Sequence, residues 1–170
     1  YNLKTDLLGY WGFCWEAKMD ELFLGHRELV TAGSVPKPVL TGYEFLAQLG
    51  DERLKVKGPR RGDRTGVLAT KTGDKEIQFI VYNYEETDKD LTISDNVEIT
   101  LSNISANKVV VDEFFLDREH HNTYRLWEKL GSPKTLTPEL QKQLIAESHL
   151  KSNRKNIIPV KDNRVKLNYM

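Results

Sequence analysis

From Asp51 onward, apolar residues recur mostly with a period of two, the mark of strands. Strands are expected over 54–57, 65–70, 76–84, 97–101, 109–116 and 164–169, with Thr72-Gly73-Asp74 as the turn between the second and third. Ile77, Phe79 and Val81 alternate with Ile80, Tyr82 and Tyr84, so that strand reads as central and covered on both sides. Val97, Ile99 and Leu101 alternate with Glu98, Thr100 and Ser102, as in a half-buried strand. One stretch breaks the period. After the polar turn Asp117-Arg118-Glu119-His120-His121-Asn122, Tyr124, Trp127 and Leu130 recur at helical spacing. Gly131-Ser132-Pro133 stops that segment, and Thr137-Pro138 starts another, with Thr137 as N-cap and Pro138 at the first helical position.

The first 50 residues follow a different pattern. The run Leu7-Leu8-Gly9-Tyr10-Trp11-Gly12-Phe13-Cys14 suits a strand buried on both faces. A loop over 15–36 follows. Leu40, Tyr43, Leu46 and Leu49 then recur every third residue, Val39 and Phe45 widen the stripe, and Gly50 suits a C-cap. Strand, loop and helix make one βα unit without neighbours. A boundary is therefore expected at Gly50–Asp51, with 51–170 forming a mainly β, antiparallel β-sandwich that makes a short helical excursion at about 121–150.

Composition narrows the function classes. Twenty-five basic and 25 acidic residues balance, so no global attraction to nucleic acid or to an anionic membrane is expected. No apolar run approaches the roughly 20 residues of a membrane helix. With 39% apolar residues and three Trp, the chain can bury a core. The lone Cys14 excludes an internal disulfide framework and assigns no compartment. The chain starts at Tyr1 and stops within an alternating pattern at Met170, as expected of a piece of something longer.

The run His121-Asn122-Thr123-Tyr124, with Trp127-Glu128-Lys129-Leu130-Gly131-Ser132-Pro133 and Thr137-Pro138, resembles the C-terminal region of glycoside hydrolase family 39, the β-xylosidases and α-L-iduronidases. Tyr10-Trp11, Lys37-Pro38-Val39, Phe45-Leu46 and Leu49-Gly50 are similar to the family's last barrel strand and the helix that closes its barrel. The resemblance implies that residues 1–50 are the last βα unit of a (β/α)8 catalytic barrel and 51–170 the accessory β-sandwich. It implies a retaining glycosidase hydrolysing β-xylosides or related uronides, with a carbohydrate substrate, the missing barrel and a second copy of the chain as partners. No cofactor is implied.

Retaining glycosidases need two carboxyl groups roughly 5–5.5 Å apart. In the family these are glutamates on barrel strands four and seven, both upstream of Tyr1, so no catalytic residue is expected in this chain. The resemblance implies that it keeps part of the sugar pocket. Trp11 sits where the family's last barrel strand ends, a position that lines the active site; the plain alternative is a core tryptophan. In related xylosidases an acidic pair in the following loop contacts the sugar. Here that loop reads Phe13-Cys14-Trp15-Glu16-Ala17-Lys18-Met19-Asp20-Glu21, in which Asp20 and Glu21, or Glu16, are the candidates for substrate binding.

Elsewhere plainer readings prevail. Adjacent side chains such as Glu119, His120 and His121 on one turn rarely converge on a metal ion, and none is expected here. Lys55, Lys57, Arg60, Arg61 and Arg64 surround Gly58-Pro59 and Gly62 without interleaved aromatics, as at a solvated hairpin tip. Asn103-Ile104-Ser105 is a glycosylation sequon only where the source secretes through a eukaryotic pathway. The competing overall reading is a stand-alone β-sandwich that binds a sugar or a protein. Such a module has no use for an unpartnered βα unit, which favours the hydrolase reading.

Overall fold

A computed structural model describes residues 22–23, 28–58, 63–84 and 95–169. The described chain is mostly strands in small antiparallel sheets with few helices. In order these are α1 (Pro38–Ala47), β1 (Glu52–Arg53), β2 (Thr65–Thr72), β3 (Glu76–Asn83), β4 (Val97–Ser102), β5 (Lys108–Glu113), α2 (Thr123–Lys129), α3 (Pro138–Ser148), β6 (Arg154–Pro159) and β7 (Arg164–Tyr169). Two compact units emerge, each built from two stretches of sequence: Tyr1–Glu44 with Phe114–Lys151, and Phe45–Glu113 with Ser152–Met170.

The second unit contains the strands. β1, β2 and β3 form one antiparallel sheet in that order, β4 pairs with β7, and β5 pairs with β6. Register explains the burial. On one face of the β4–β7 pair, Ile99 faces Leu167 and Leu101 faces Val165, and both β7 residues are buried. On the other face Glu98 lies beside Lys166, joined to it at 3.2 Å. Full burial of such a Val or Leu stabilises by about 1.5–3 kcal/mol. Phe79 of β3 meets Tyr169 of β7 edge-on, with ring centres 6.4 Å apart.

Turn chemistry shapes the tight connections. Gly73, between β2 and β3, takes φ +57, which glycine adopts without a Cβ penalty. Asp162 and Asn163 both take positive φ between β6 and β7, as a type I′ turn requires, and Lys161 and Arg164 exchange backbone hydrogen bonds across it.

Several expected strands differ. Residues 54–57 lie outside any strand; the ladder is made one step earlier, at Glu52–Arg53, and Leu54 adds a single bond from its N–H to the Ala69 carbonyl. β5 ends at Glu113 rather than 116, because the chain there leaves for the helical segment. β3 pairs only with β2 among the described residues, so it is an edge, and its ends are exposed rather than covered. β6 was not expected at all. Its polar start, Arg154-Lys155-Asn156, hides a strand that exists because β5 supplies a ladder partner.

The first unit holds α2, α3 and α1 as far as Glu44. Leu22, Val35 and Leu144 form its buried centre, with Phe23, Leu126, Trp127, Leu130, Leu136 and Ile145 packed around them. α3 starts as expected: the Thr137 hydroxyl accepts from the Leu140 N–H, and Pro138 takes the first helical turn. α2 is capped by Asn122, whose side-chain oxygen accepts from the Arg125 N–H at 3.1 Å. Among the described residues no helix is long and apolar enough to cross a membrane.

Candidate functional site

The residues proposed from sequence to touch a sugar (Trp11, Asp20, Glu21 and Glu16) lie outside the described residues, as does Cys14. The first unit still shows how the segment after them is held. Glu28 and Lys37 form an ion pair at 3.0 Å with each side chain only 10% exposed. A buried pair of this kind adds little net stability, but losing one partner strands the other charge. The Thr31 hydroxyl accepts from the Val35 N–H, and a tight turn through Ser34 at φ 57 brings Val30 opposite Pro36. Lys37 thereby delivers the chain into α1. The sequence singled out Lys37-Pro38, but nothing in the spacing marked Glu28 as its partner.

The helical segment ties back to this loop. The Thr123 hydroxyl donates to the Pro36 carbonyl at 2.7 Å, and the Gln141 amide donates to the Gly33 carbonyl at 2.7 Å. Phe23, Tyr124 and Trp127 form a ring cluster with centres 5.3–5.9 Å apart. The Trp127 indole N–H donates to the Pro133 carbonyl at 3.0 Å, which anchors the Gly131-Ser132-Pro133 stop to the helix before it. A hydrogen bond from the Tyr124 hydroxyl to the Glu128 carboxylate pushes that phenol up from its ordinary range.

The His-rich turn is a structural knot. Asp117 accepts the N–H groups of Glu119 at 2.7 Å and His120 at 2.9 Å, and its carboxylate lies 3.0 Å from His120 Nδ1. Burial alone would raise the Asp117 pKa, but these N–H groups and His120 outweigh it and hold the carboxyl below its usual range. His121 is buried, takes φ +51, and sits between two backbone groups. Its Nε2 accepts from the Lys151 N–H at 2.9 Å, which leaves Nδ1 to donate to the Phe115 carbonyl at 2.6 Å. The imidazole therefore staples the start of the helical segment to its end. Both ring nitrogens are committed. Among the described residues no group of three His, Cys, Asp or Glu side chains could hold a metal ion.

In the second unit, the described part of the basic cluster is solvated or paired. Lys55 and Lys57 are exposed, and Arg64 reaches Asp95 at 2.9 Å. The Thr65 hydroxyl and Arg64 hold the Asp95 carboxyl below its ordinary range. Glu113 is nearly buried beside Arg154, and burial, followed by the Glu113 carboxylate, drives the Tyr169 phenol far up.

Three comparisons place the chain. Residues 14–161 match the family model described as glycosyl hydrolases family 39. A β-xylosidase from Geobacillus stearothermophilus is 27% identical over 135 residues, which is 76% of this chain and 25% of that protein. The chain thus spans about a quarter of that relative's length. Two solved structures share the fold across 88% of this chain. The family 39 enzyme of Xanthomonas axonopodis pv. citri matches with a TM-score of 0.71 at 16% identity, over 31% of its length. A monomeric β-xylosidase of Caulobacter crescentus CB15 matches at 0.68 and 18%, over 32% of its length. With a family match that runs through the loop, α1, strands β1 to β6 and the helical segment, the chain belongs to glycosyl hydrolases family 39.

Proposed function

We propose that this chain is the C-terminal portion of a retaining glycoside hydrolase that cleaves β-xylosides or related uronides, and that it is not active by itself. Residues 1–50 are the last βα unit of a (β/α)8 barrel, and 51–170 are an accessory β-sandwich with its helical excursion. The observation that carries this reading is the family match beginning at residue 14. A self-contained sandwich module would need nothing so far ahead of its first strand. The similarity to a β-xylosidase of which this chain spans 25% supports it further.

The chemistry divides between the two parts. The two carboxyl groups of a retaining mechanism, one acid/base and one nucleophile, belong to the rest of the barrel. This chain contributes Trp11, whose indole face packs on the apolar face of the sugar, and Asp20 and Glu21, which accept from sugar hydroxyls. The first unit's role is positional. The Glu28–Lys37 pair and the ties from Thr123 and Gln141 fix the loop that leads into α1. The partners of the whole protein are its carbohydrate substrate, the remaining barrel and a second copy of itself, the last to be read by light scattering.

The reading is tested on the encoded reading frame and on one variant. Some 300 residues should precede Tyr1, with glutamates ending two barrel strands (on the order of 250 residues make such a barrel). In that full-length protein Trp11→Ala should lower kcat/KM on an aryl β-xyloside by tenfold or more, about 1.4 kcal/mol of transition-state binding. A gene that begins near Tyr1, or a Trp11→Ala variant with unchanged kcat/KM, would refute it.

A further inference from the structure

Tyr82 lies in β3, and Tyr84, one residue past its end, continues the ladder through its N–H to the Arg64 carbonyl at 2.8 Å, so the two share a face about 6.6 Å apart along the chain. They are 51% and 65% exposed. Exposed tyrosines are ordinary one at a time, but the seating of this pair is not. Tyr82 lies directly across the sheet from Gly66 of β2, and a Cβ on Gly66 would fall 2.2 Å from Tyr82 Cζ and 2.3 Å from its hydroxyl oxygen. Any side chain at 66 would evict the ring. The ring thus rests on bare backbone, held from below and open above. The opposite face of β3 is already used, since Phe79 meets Tyr169 there. Next on the tyrosine face come Ile80 opposite Leu68, both half-buried, and then Gln78, whose amide is bonded to Thr70 and Thr72.

From this seating we infer a second carbohydrate-binding site, a stacking platform of Tyr82 and Tyr84 for the pyranose rings of a neutral, xylan-type chain. A preset aromatic ring offers the apolar C–H face of a sugar a surface at little entropic cost, and the phenol hydroxyl bonds at its rim. Charge selects among partners. Among the described residues the neighbouring cation is Arg64, which is paired with Asp95 at 2.9 Å. The patch therefore suits a neutral polymer rather than nucleic acid or an acidic peptide. The site deepens the hydrolase reading by giving the polymer a hold remote from the bond being cut, and it rests on that reading for the kind of sugar.

The test is co-sedimentation of the full-length protein with insoluble xylan, for the parent, Tyr82→Ala and Tyr84→Ala, with thermal unfolding of each to show that it is folded. The parent should sediment, and each variant should lose about tenfold in affinity, the scale of one aromatic stacking contact. If Tyr82→Ala fails to fold, Tyr84→Ala, the more exposed position, decides. A parent that stays in solution overturns the inference. So do folded variants that sediment like the parent, because binding then belongs to the active site alone. Hydrolysis of a soluble aryl xyloside by the parent reports on the catalytic reading separately.

Discussion

His121 shows how one side chain can do what a run of contacts does elsewhere. It ties Phe115 to Lys151 through two backbone bonds, so His121→Ala should leave a carbonyl and an N–H unsatisfied. A loss of about 2–4 kcal/mol in unfolding free energy is expected, measured by chemical denaturation; a loss near zero would mean water replaces the ring. Tyr169 carries a pH signature. Burial, then Glu113, raise its pKa above the ordinary value of about 10. Folded protein therefore keeps the proton where unfolded chain has lost it. The stability this contributes is complete below pH 10 and falls as pH rises beyond it. Tm measured from pH 9 to 11 should drop less in Tyr169→Phe than in the parent; parallel curves would contradict the assignment. Both roles were invisible in the sequence. Adjacent histidines look alike on paper, and only the fold commits His121 to two backbone groups while His120 faces Asp117 in an exposed turn.

At the scale of elements, local chemistry was legible and partnership was not. Thr137-Pro138 announced the start of α3, and Gly131-Ser132-Pro133 announced the end of α2, because caps and stops act within a few residues. Thr137→Ala should therefore cost about 1 kcal/mol, read from the same denaturation curves. β6 escaped notice because its register comes from β5, roughly 45 residues earlier. The edge position that β3 holds among the described residues escaped for a similar reason: alternation reports two apolar faces but says nothing of the neighbour that covers them. Trp127 packs against Phe23, Tyr124 and the Leu22–Val35–Leu144 centre, contacts that its helical spacing alone did not reveal. Since it is only half-buried, Trp127→Ala should lose about 3 kcal/mol, the low end for removing a buried aromatic. A loss under about 1 would show that the cluster carries no packing energy.

For the whole molecule, short motifs were enough to point to family 39, and the match over residues 14–161 bears that out. Some of those motif residues sit where the backbone calls for them, as Gly131 and Ser132 do at positive φ and Thr137 does at the start of α3. The pairing of 1–44 with 114–151 as one compact unit was beyond reach, because it rests on long-range contacts: the Leu22–Val35–Leu144 centre and single bonds such as Thr123 to Pro36 and Gln141 to Gly33. The proposed sugar contacts at Trp11, Asp20 and Glu21 come from motif position, and in the proposed reading the catalytic carboxylates come from outside this chain. The most direct measurement is therefore hydrolysis of an aryl β-xyloside by the full-length protein and by the 170-residue chain, side by side. The account predicts turnover by the full-length protein and none by the chain alone. Turnover by the isolated chain, or none by the full-length protein on aryl xylosides and iduronides alike, would contradict it.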